Sequence, residues 1–152
     1  MAHTIPFTKS GYDNLKKKLD ILLNKRPDAV KTLSRAREMG DLSENGLYKA
    51  AKFELSDIDR EVRFLKNLIK YGKIIGPSNN NTVQIGHNVE IENEKGKKTY
   101  QIVGEYEANP NINKISYKSP IGFSLLGKKV EDKINIKTPT GVLYYLIKNI
   151  SL

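Results

Sequence analysis

The chain has 152 residues, 38% of them hydrophobic and 28% charged, with a net charge of +9. Such a composition describes a soluble, folded chain of one ordinary domain or two small ones and excludes an intrinsically disordered one. No apolar run approaches the roughly 18 residues that span a bilayer, and the absence of cysteine excludes disulfides and thiolate metal sites.

The basic excess is uneven: +6 over residues 1–75 and +3 over residues 76–152. It fits a polyanionic partner, either nucleic acid or an acidic protein surface, and equally a solvated basic face. The opening Met-Ala-His-Thr-Ile-Pro-Phe has no basic region followed by an apolar core, so no secretory signal is expected and a cytoplasmic location is.

Thr8 reads as the cap of a first helix over residues 9–39. Its apolar positions Tyr12, Leu15, Leu19 and Leu22 keep the 3-4-3 spacing of a coiled-coil seam, which resumes at Val30, Leu33 and Ala36. Pro27 lies between the two parts and predicts a local kink. A second helix over residues 44–71 keeps the same spacing through Tyr48, Ala51, Leu55, Ile58, Val62, Leu65 and Ile69, with Gly72 as its left-handed stop. Two helices of roughly 40 Å or more joined by a few residues must lie antiparallel. Residues 1–75 are therefore expected to form a coiled-coil hairpin.

Between the helices runs Ala-Arg-Glu-Met-Gly-Asp-Leu-Ser-Glu-Asn-Gly-Leu-Tyr-Lys-Ala-Ala-Lys, residues 36–52. Gly40 and Gly46 bracket a bend holding two acids, Asp41 and Glu44. The spacing Asp-x-x-Glu is also that of a capping box, in which each side chain satisfies an orphan backbone donor. Reach argues for chemistry as well: a long hairpin carries its end far from the rest of the chain. Two carboxylates hold Mg²⁺ only weakly, so such a site is completed inside a partner that supplies more ligands.

Residues 76–81, Gly-Pro-Ser-Asn-Asn-Asn, read as a linker, and residues 82–152 as a second domain in which the apolar period drops to about two. Strands are predicted at residues 83–85, 89–91, 100–103, 112–118, 134–136 and 142–150. Glu94-Lys95-Gly96-Lys97 and Thr138-Pro139-Thr140-Gly141 are the turns. Ser119 caps a short helix with Pro120 at its first position. The fold class is α+β: a helical hairpin, then a small globule of about five strands and one short helix. No phosphate-binding glycine loop is present, and His3 and His87 have no ligand spacing around them.

The run at residues 36–45, with Tyr48, Ala50-Ala51-Lys52 and Arg26-Pro27, resembles the hairpin end of the bacterial Gre transcript cleavage factors, and of the GreA type. Tyr100-Gln101-Ile102-Val103-Gly104, Glu107-Ala108, Ser119-Pro120-Ile121-Gly122, Leu126-Gly127-Lys128-Lys129 and Lys137-Thr138-Pro139-x-Gly141 resemble the family's C-terminal domain, in order and at the right spacing. Residues 58–65 look closer to the GreB branch.

The resemblance implies an FKBP-like C-terminal domain that docks on RNA polymerase, and a hairpin that enters the polymerase's secondary channel. It implies that Asp41 and Glu44 are the catalytic pair, holding Mg²⁺ jointly with the polymerase while the backtracked 3′ end of the nascent RNA is cut. Arg37 and Lys52 are implied as RNA-binding cations, and Leu42, Ser43, Asn45 and Tyr48 as contacts of the tip with the channel. The protein would act as a monomer and would be no enzyme by itself. Two departures from the family pattern stand out: Gly46-Leu47 where Ala-Glu is common, and Lys129-Val130-Glu131-Asp132 with Glu-Asp in place of Gly-Asp. The rival readings are a Gre-like channel inhibitor, a peptidyl-prolyl isomerase and a coiled-coil adaptor.

Overall fold

The structure is a computed structural model and describes residues 3–40 and 45–152. Two compact units are present. One comprises residues 13–72; the other joins residues 3–12 to residues 73–152.

Thr8 does cap the first helix, α1 (Lys9–Arg37): the Gly11 N–H donates to its hydroxyl at 3.2 Å, and the Tyr12 N–H to its carbonyl at 2.9 Å. Helix α1 runs without interruption past Pro27, whose ring lies on the exposed side. The second helix, α2 (Gly46–Tyr71), packs on α1 in the antiparallel sense. Ala36, Leu33 and Ala51 form one buried cluster, and Ala29, Ile58 and Val62 form the next.

The seam differs from expectation at one point. Val30 is exposed and Ala29 is buried in its place. The spacing 15-19-22-26-29-33-36 shows why: the heptad never loses phase, and Arg26 occupies the seam position that the apolar pattern skips. Its Nε donates to Asp59 Oδ1 at 2.7 Å across the hairpin. Hydrogen bonding to Arg26 holds the Asp59 carboxyl below the usual carboxylate range. At the far end Leu68 is the buried residue, ahead of the expected Ile69.

Gly72 is not the left-handed stop that its position predicts. Its φ of −73° and ψ of 148° are extended, and the chain passes directly into a short strand (Gly72–Ile74). This strand pairs with another at Ile5–Phe7; in chain order they are β2 and β1. The Ile75 N–H extends the pairing by donating to the Phe7 carbonyl at 2.8 Å. Phe7 is fully buried, its ring stacked on Tyr106 and edge-on to Tyr12.

The remaining strands are β3 (Asn88–Asn93), β4 (Gly96–Val103), β5 (Lys114–Ser116), β6 (Lys133–Thr138) and β7 (Gly141–Ser151), in the spatial order β5-β4-β3-β7-β6. The pair β4–β5 is parallel, reached through 3-10 turns at Glu105–Glu107 and Pro110–Ile112, and the other pairs are antiparallel. Both predicted hairpins close on two-residue loops, Glu94-Lys95 and Pro139-Thr140, with Gly96 and Gly141 at positive φ. One sheet face buries Val89, Ile91, Ile102, Ile134, Ile136, Tyr145, Ile147 and Ile150, and Leu125 of α3 (Pro120–Leu125) belongs to the same core. Ser119 and Pro120 start α3 as their residue types predict, with the Gly122 N–H donating to Ser119 Oγ at 3.1 Å.

Two predicted strands are corrected. Residues 83–85 are not a strand: Val83 is buried and exchanges hydrogen bonds with the Gly127–Lys128 backbone, but Gly86, at φ 102°, turns the chain before a ladder can form. The strand at residues 112–118 shrinks to Lys114–Ser116, because Asn113 adopts a left-handed conformation at φ 57°.

Candidate functional site

Helix α1 ends in a tight turn in which Glu38 and Met39 donate to the carbonyls of Arg35 and Ala36, each at 3.2 Å, and Gly40 takes φ 109°. No Cβ would meet an obstruction at Gly40, so its glycine answers to the backbone conformation alone. Asp41, Leu42, Ser43 and Glu44 lie outside the described residues. Helix α2 begins at Gly46, two residues later than predicted, and its N-cap is Asn45.

Asn45 makes two bonds of different kinds. Its Oδ1 accepts from the Tyr48 N–H at 3.1 Å, the usual capping bond, and its Nδ2 donates to the Ala36 carbonyl at 2.8 Å, back in the last turn of α1. One side chain thus satisfies an orphan donor of α2 and adds a second bond to a carbonyl in the last turn of α1.

Tyr48 packs against the Leu33, Ala36 and Ala51 cluster and presents its ring to two cations. Arg37 Cζ and Lys52 Nζ each lie 6.0 Å from the ring centroid. The two cations singled out in the sequence, one from each helix, are therefore brought to a single aromatic ring. Such contacts contribute on the order of 0.5–1 kcal/mol each at exposed sites, enough to bias the orientation of long side chains. Met39 and Leu47 are strongly exposed, 66% and 62%, and border a shallow apolar groove with Ala36, Ala50 and Ala51. Among the described residues no group of three or more His, Asp or Glu side chains is placed to hold a metal ion.

In the sheet-containing unit, Glu107 ties the start of α1 to the chain beyond β4. Its carboxylate accepts from the Thr8 N–H and the Gly104 N–H, each at 2.9 Å, and from the Thr8 hydroxyl. His87 is fully buried. Its Nδ1 accepts from the Gln84 N–H and its Nε2 faces Asn80 Oδ1, both at 2.9 Å, an arrangement of the neutral ring; burial lowers its pKa. That internal role matches the absence of ligand spacing around it. Phe123, 74% exposed on α3, is the most exposed phenylalanine of this unit. Sequence reasoning passed over both bonds of Asn45 and the ring platform of Tyr48. The signal for the first was available, since asparagine is among the preferred N-caps.

Comparison with known proteins is consistent across the chain. Residues 5–74 match the family described as "Transcription elongation factor, N-terminal", and residues 78–152 the family described as "Transcription elongation factor, GreA/GreB, C-term". The transcription elongation factor GreA of Thermosipho melanesiensis is 42% identical over 151 residues, covering 97% of either chain. That of Nautilia profundicola is 38% identical over 154 residues, covering 97% of this chain and 94% of its own. Among solved structures, GreA factor homolog 1 of Thermus thermophilus covers 99% of this chain and 100% of its own, at 27% identity and a TM-score of 0.47. The chain belongs to the GreA/GreB family of transcription elongation factors.

Proposed function

We propose that the protein binds RNA polymerase, carries the end of its hairpin into the secondary channel, and stimulates Mg²⁺-dependent cleavage of backtracked nascent RNA, so that arrested complexes resume elongation. The observation that carries this reading is the make-up of the hairpin end. Two acids, Asp41 and Glu44, occupy a short segment whose flanks are joined through Asn45, and two cations stand together on Tyr48 beside it. Membership of an elongation factor family supports the polymerase as partner.

The donor set suits Mg²⁺, a hard cation that takes carboxylate oxygens and keeps several waters. Asp41 and Glu44 would hold it; the Asn45 side-chain oxygen Oδ1 is committed to the Tyr48 N–H, so the remaining ligands come from the polymerase and water. When bound, the ion supplies charge stabilisation at the attacking and leaving oxygens of the phosphodiester. Arg37 and Lys52 would hold phosphates of the extruded RNA and orient its 3′ end. The protein has no cleavage activity of its own in this reading; it is a monomer that docks through its sheet-containing unit and works in the cytoplasm with the polymerase.

The test is to add the protein to a stalled, backtracked elongation complex with Mg²⁺. Shortened RNA with a new 3′ end supports the reading, and unaltered RNA contradicts it. One observation favours a second reading, a channel inhibitor: the exposed Leu47 stands where related factors commonly carry an acid. An inhibitor would slow nucleotide addition on active complexes without shortening the RNA of backtracked ones.

A further inference from the structure

The hairpin β6–β7 outruns the strand beside it. Strand β7 pairs with β6 from Gly141 to Leu146, whereas its pairing with β3 ends at Glu92 opposite Leu146, and the β3–β4 hairpin turns back through Glu94-Lys95. One side of β7 is therefore without a neighbouring strand over residues 142–145. The direction of its backbone groups follows from Ile147, which donates to the Asp132 carbonyl at 3.0 Å and accepts from the Glu131 N–H at 2.8 Å, on the β6 side. Alternation along the strand turns Leu143 and Tyr145 the same way and Val142 and Tyr144 the other. The N–H and carbonyl groups of Val142 and Tyr144 thus face the open side, and among the described residues nothing is bonded to them.

Space and charge at this edge define what fits it. A cleft of about 500 Å³ separates β7 from the β3–β4 turn, and Val142 and Tyr144 are exposed there, 44% and 64%. It is lined by two acids, Glu92 and Glu94, and two lysines, Lys95 and Lys133. A second cleft of about 220 Å³ lies beside Leu143 and Tyr145, whose side chains take the opposite face of the sheet. This one holds Lys95, Lys97 and Lys98 and no acid. Lys97 lies 3.8 Å from Glu90, while Lys95 and Lys98 are in no ion pair among the described residues. A strand laid along β7 would place alternate side chains on the two faces: apolar ones over Val142 and Tyr144, acidic ones toward Lys95 and Lys98. A nucleic acid strand has no alternating backbone donors and acceptors to match this edge. A second copy would bring the same lysines against each other, in a chain of net charge +9.

We propose that the free edge of β7 at Val142–Tyr144 is a strand-addition site for an extended segment of a partner protein in which apolar and acidic residues alternate. The site is independent of the cleavage reading, because none of its residues belongs to the helical hairpin.

The test is a nuclear magnetic resonance titration of the isotope-labelled full chain with a capped Val-Asp-Val-Asp-Val-Asp-Val peptide, up to millimolar concentration. The controls are the same peptide with lysine for aspartate and the same peptide methylated at alternate backbone nitrogens. The expected result is a set of amide shifts centred on Val142 and Tyr144, with slowed hydrogen exchange at both, and little response to either control. Lys95→Glu/Lys98→Glu should weaken the acidic peptide about tenfold or more and favour the lysine peptide instead. Tyr144→Pro removes a donor that faces the cleft and leaves the β6 ladder its Leu143 and Tyr145 groups; it should abolish binding with the fold intact, and if it unfolds the chain, the lysine pair decides. Absence of shifts at Val142 and Tyr144 overturns the proposal, as does equal binding of the acidic and lysine peptides. Shifts confined to other basic surfaces overturn it too. Slow exchange at Val142 and Tyr144 without peptide, in a chain that sediments as a dimer, assigns the edge to a second copy and also overturns it.

Discussion

Replacing Gly11 with alanine sets two opposed effects against each other. Gly11 lies in the first turn of α1, where alanine favours the helix by up to about 1 kcal/mol. A Cβ at this position would overlap the carboxylate of Glu107. The carboxylate would have to move, and it is the acceptor for the Thr8 N–H, the Thr8 hydroxyl and the Gly104 N–H. Thr8 and Gly104 are both buried, and each donor left without a partner costs about 1–3 kcal/mol. Loss of one or two of these bonds outweighs the gain in propensity, so Gly11→Ala is expected to destabilise the protein by about 2 kcal/mol. The assay is denaturant unfolding of wild type, Gly11→Ala, Glu107→Ala and the double variant. With the carboxylate already absent, the same glycine substitution should become neutral or stabilising by up to about 1 kcal/mol, so the two changes are non-additive, with a coupling of about 2–3 kcal/mol. Gly11→Ala as stable as wild type, or equally harmful in both backgrounds, would refute the reasoning.

Other expectations follow from the same kind of accounting. Pro27 is exposed within a continuous helix, so Pro27→Ala should stabilise the hairpin by about 1–3 kcal/mol, read as a higher denaturant midpoint with equal or greater helicity; a loss of stability would mean that the proline shapes the seam. His87 is held neutral by burial, with a folded pKa below its ordinary value. The unfolded chain therefore takes up the proton first, and the stability that this histidine contributes is present above about pH 6.5 and lost as pH falls through the depressed value. A His87→Gln variant should show a flatter dependence of Tm on pH below 6.5 than wild type; parallel profiles would contradict this.

Periodicity carried most of the fold because both helices bury their apolar stripes on one another, and a 3-4 spacing admits few other arrangements. Caps and turns were equally legible at Thr8, Ser119, Pro120 and Gly141, where residue type and backbone requirement coincide. The errors came where tertiary contacts took over from local pattern. Arg26 fills a seam position that an apolar rule leaves blank, so Val30 was assigned inward when Ala29 is. Val83 is apolar and buried like a strand residue, yet it is held by Gly127 and Lys128, far away in sequence. Phe7 belongs with the sheet-containing unit because it pairs and stacks with residues about 70 to 100 positions later, a partnership that no local window reveals. At the hairpin end, the acid pair drew the capping assignment away from Asn45. The resemblance identified the residues of interest there, but Asp41 and Glu44 lie outside the described residues and their role remains a proposal.

The direct test of that proposal is the cleavage rate of a backtracked elongation complex at saturating factor, comparing wild type with Asp41→Ala/Glu44→Ala. Because Asn45 provides the cap of α2, the double variant should keep wild-type helicity and should still compete with wild type for the polymerase. Losing the ion's stabilisation of the reacting oxygens removes several kcal/mol from the transition state, and each 1.36 kcal/mol is about tenfold in rate. The account predicts a fall of at least two to three orders of magnitude, on the order of 3–4 kcal/mol. Near-normal cleavage by a folded, polymerase-bound double variant would contradict it.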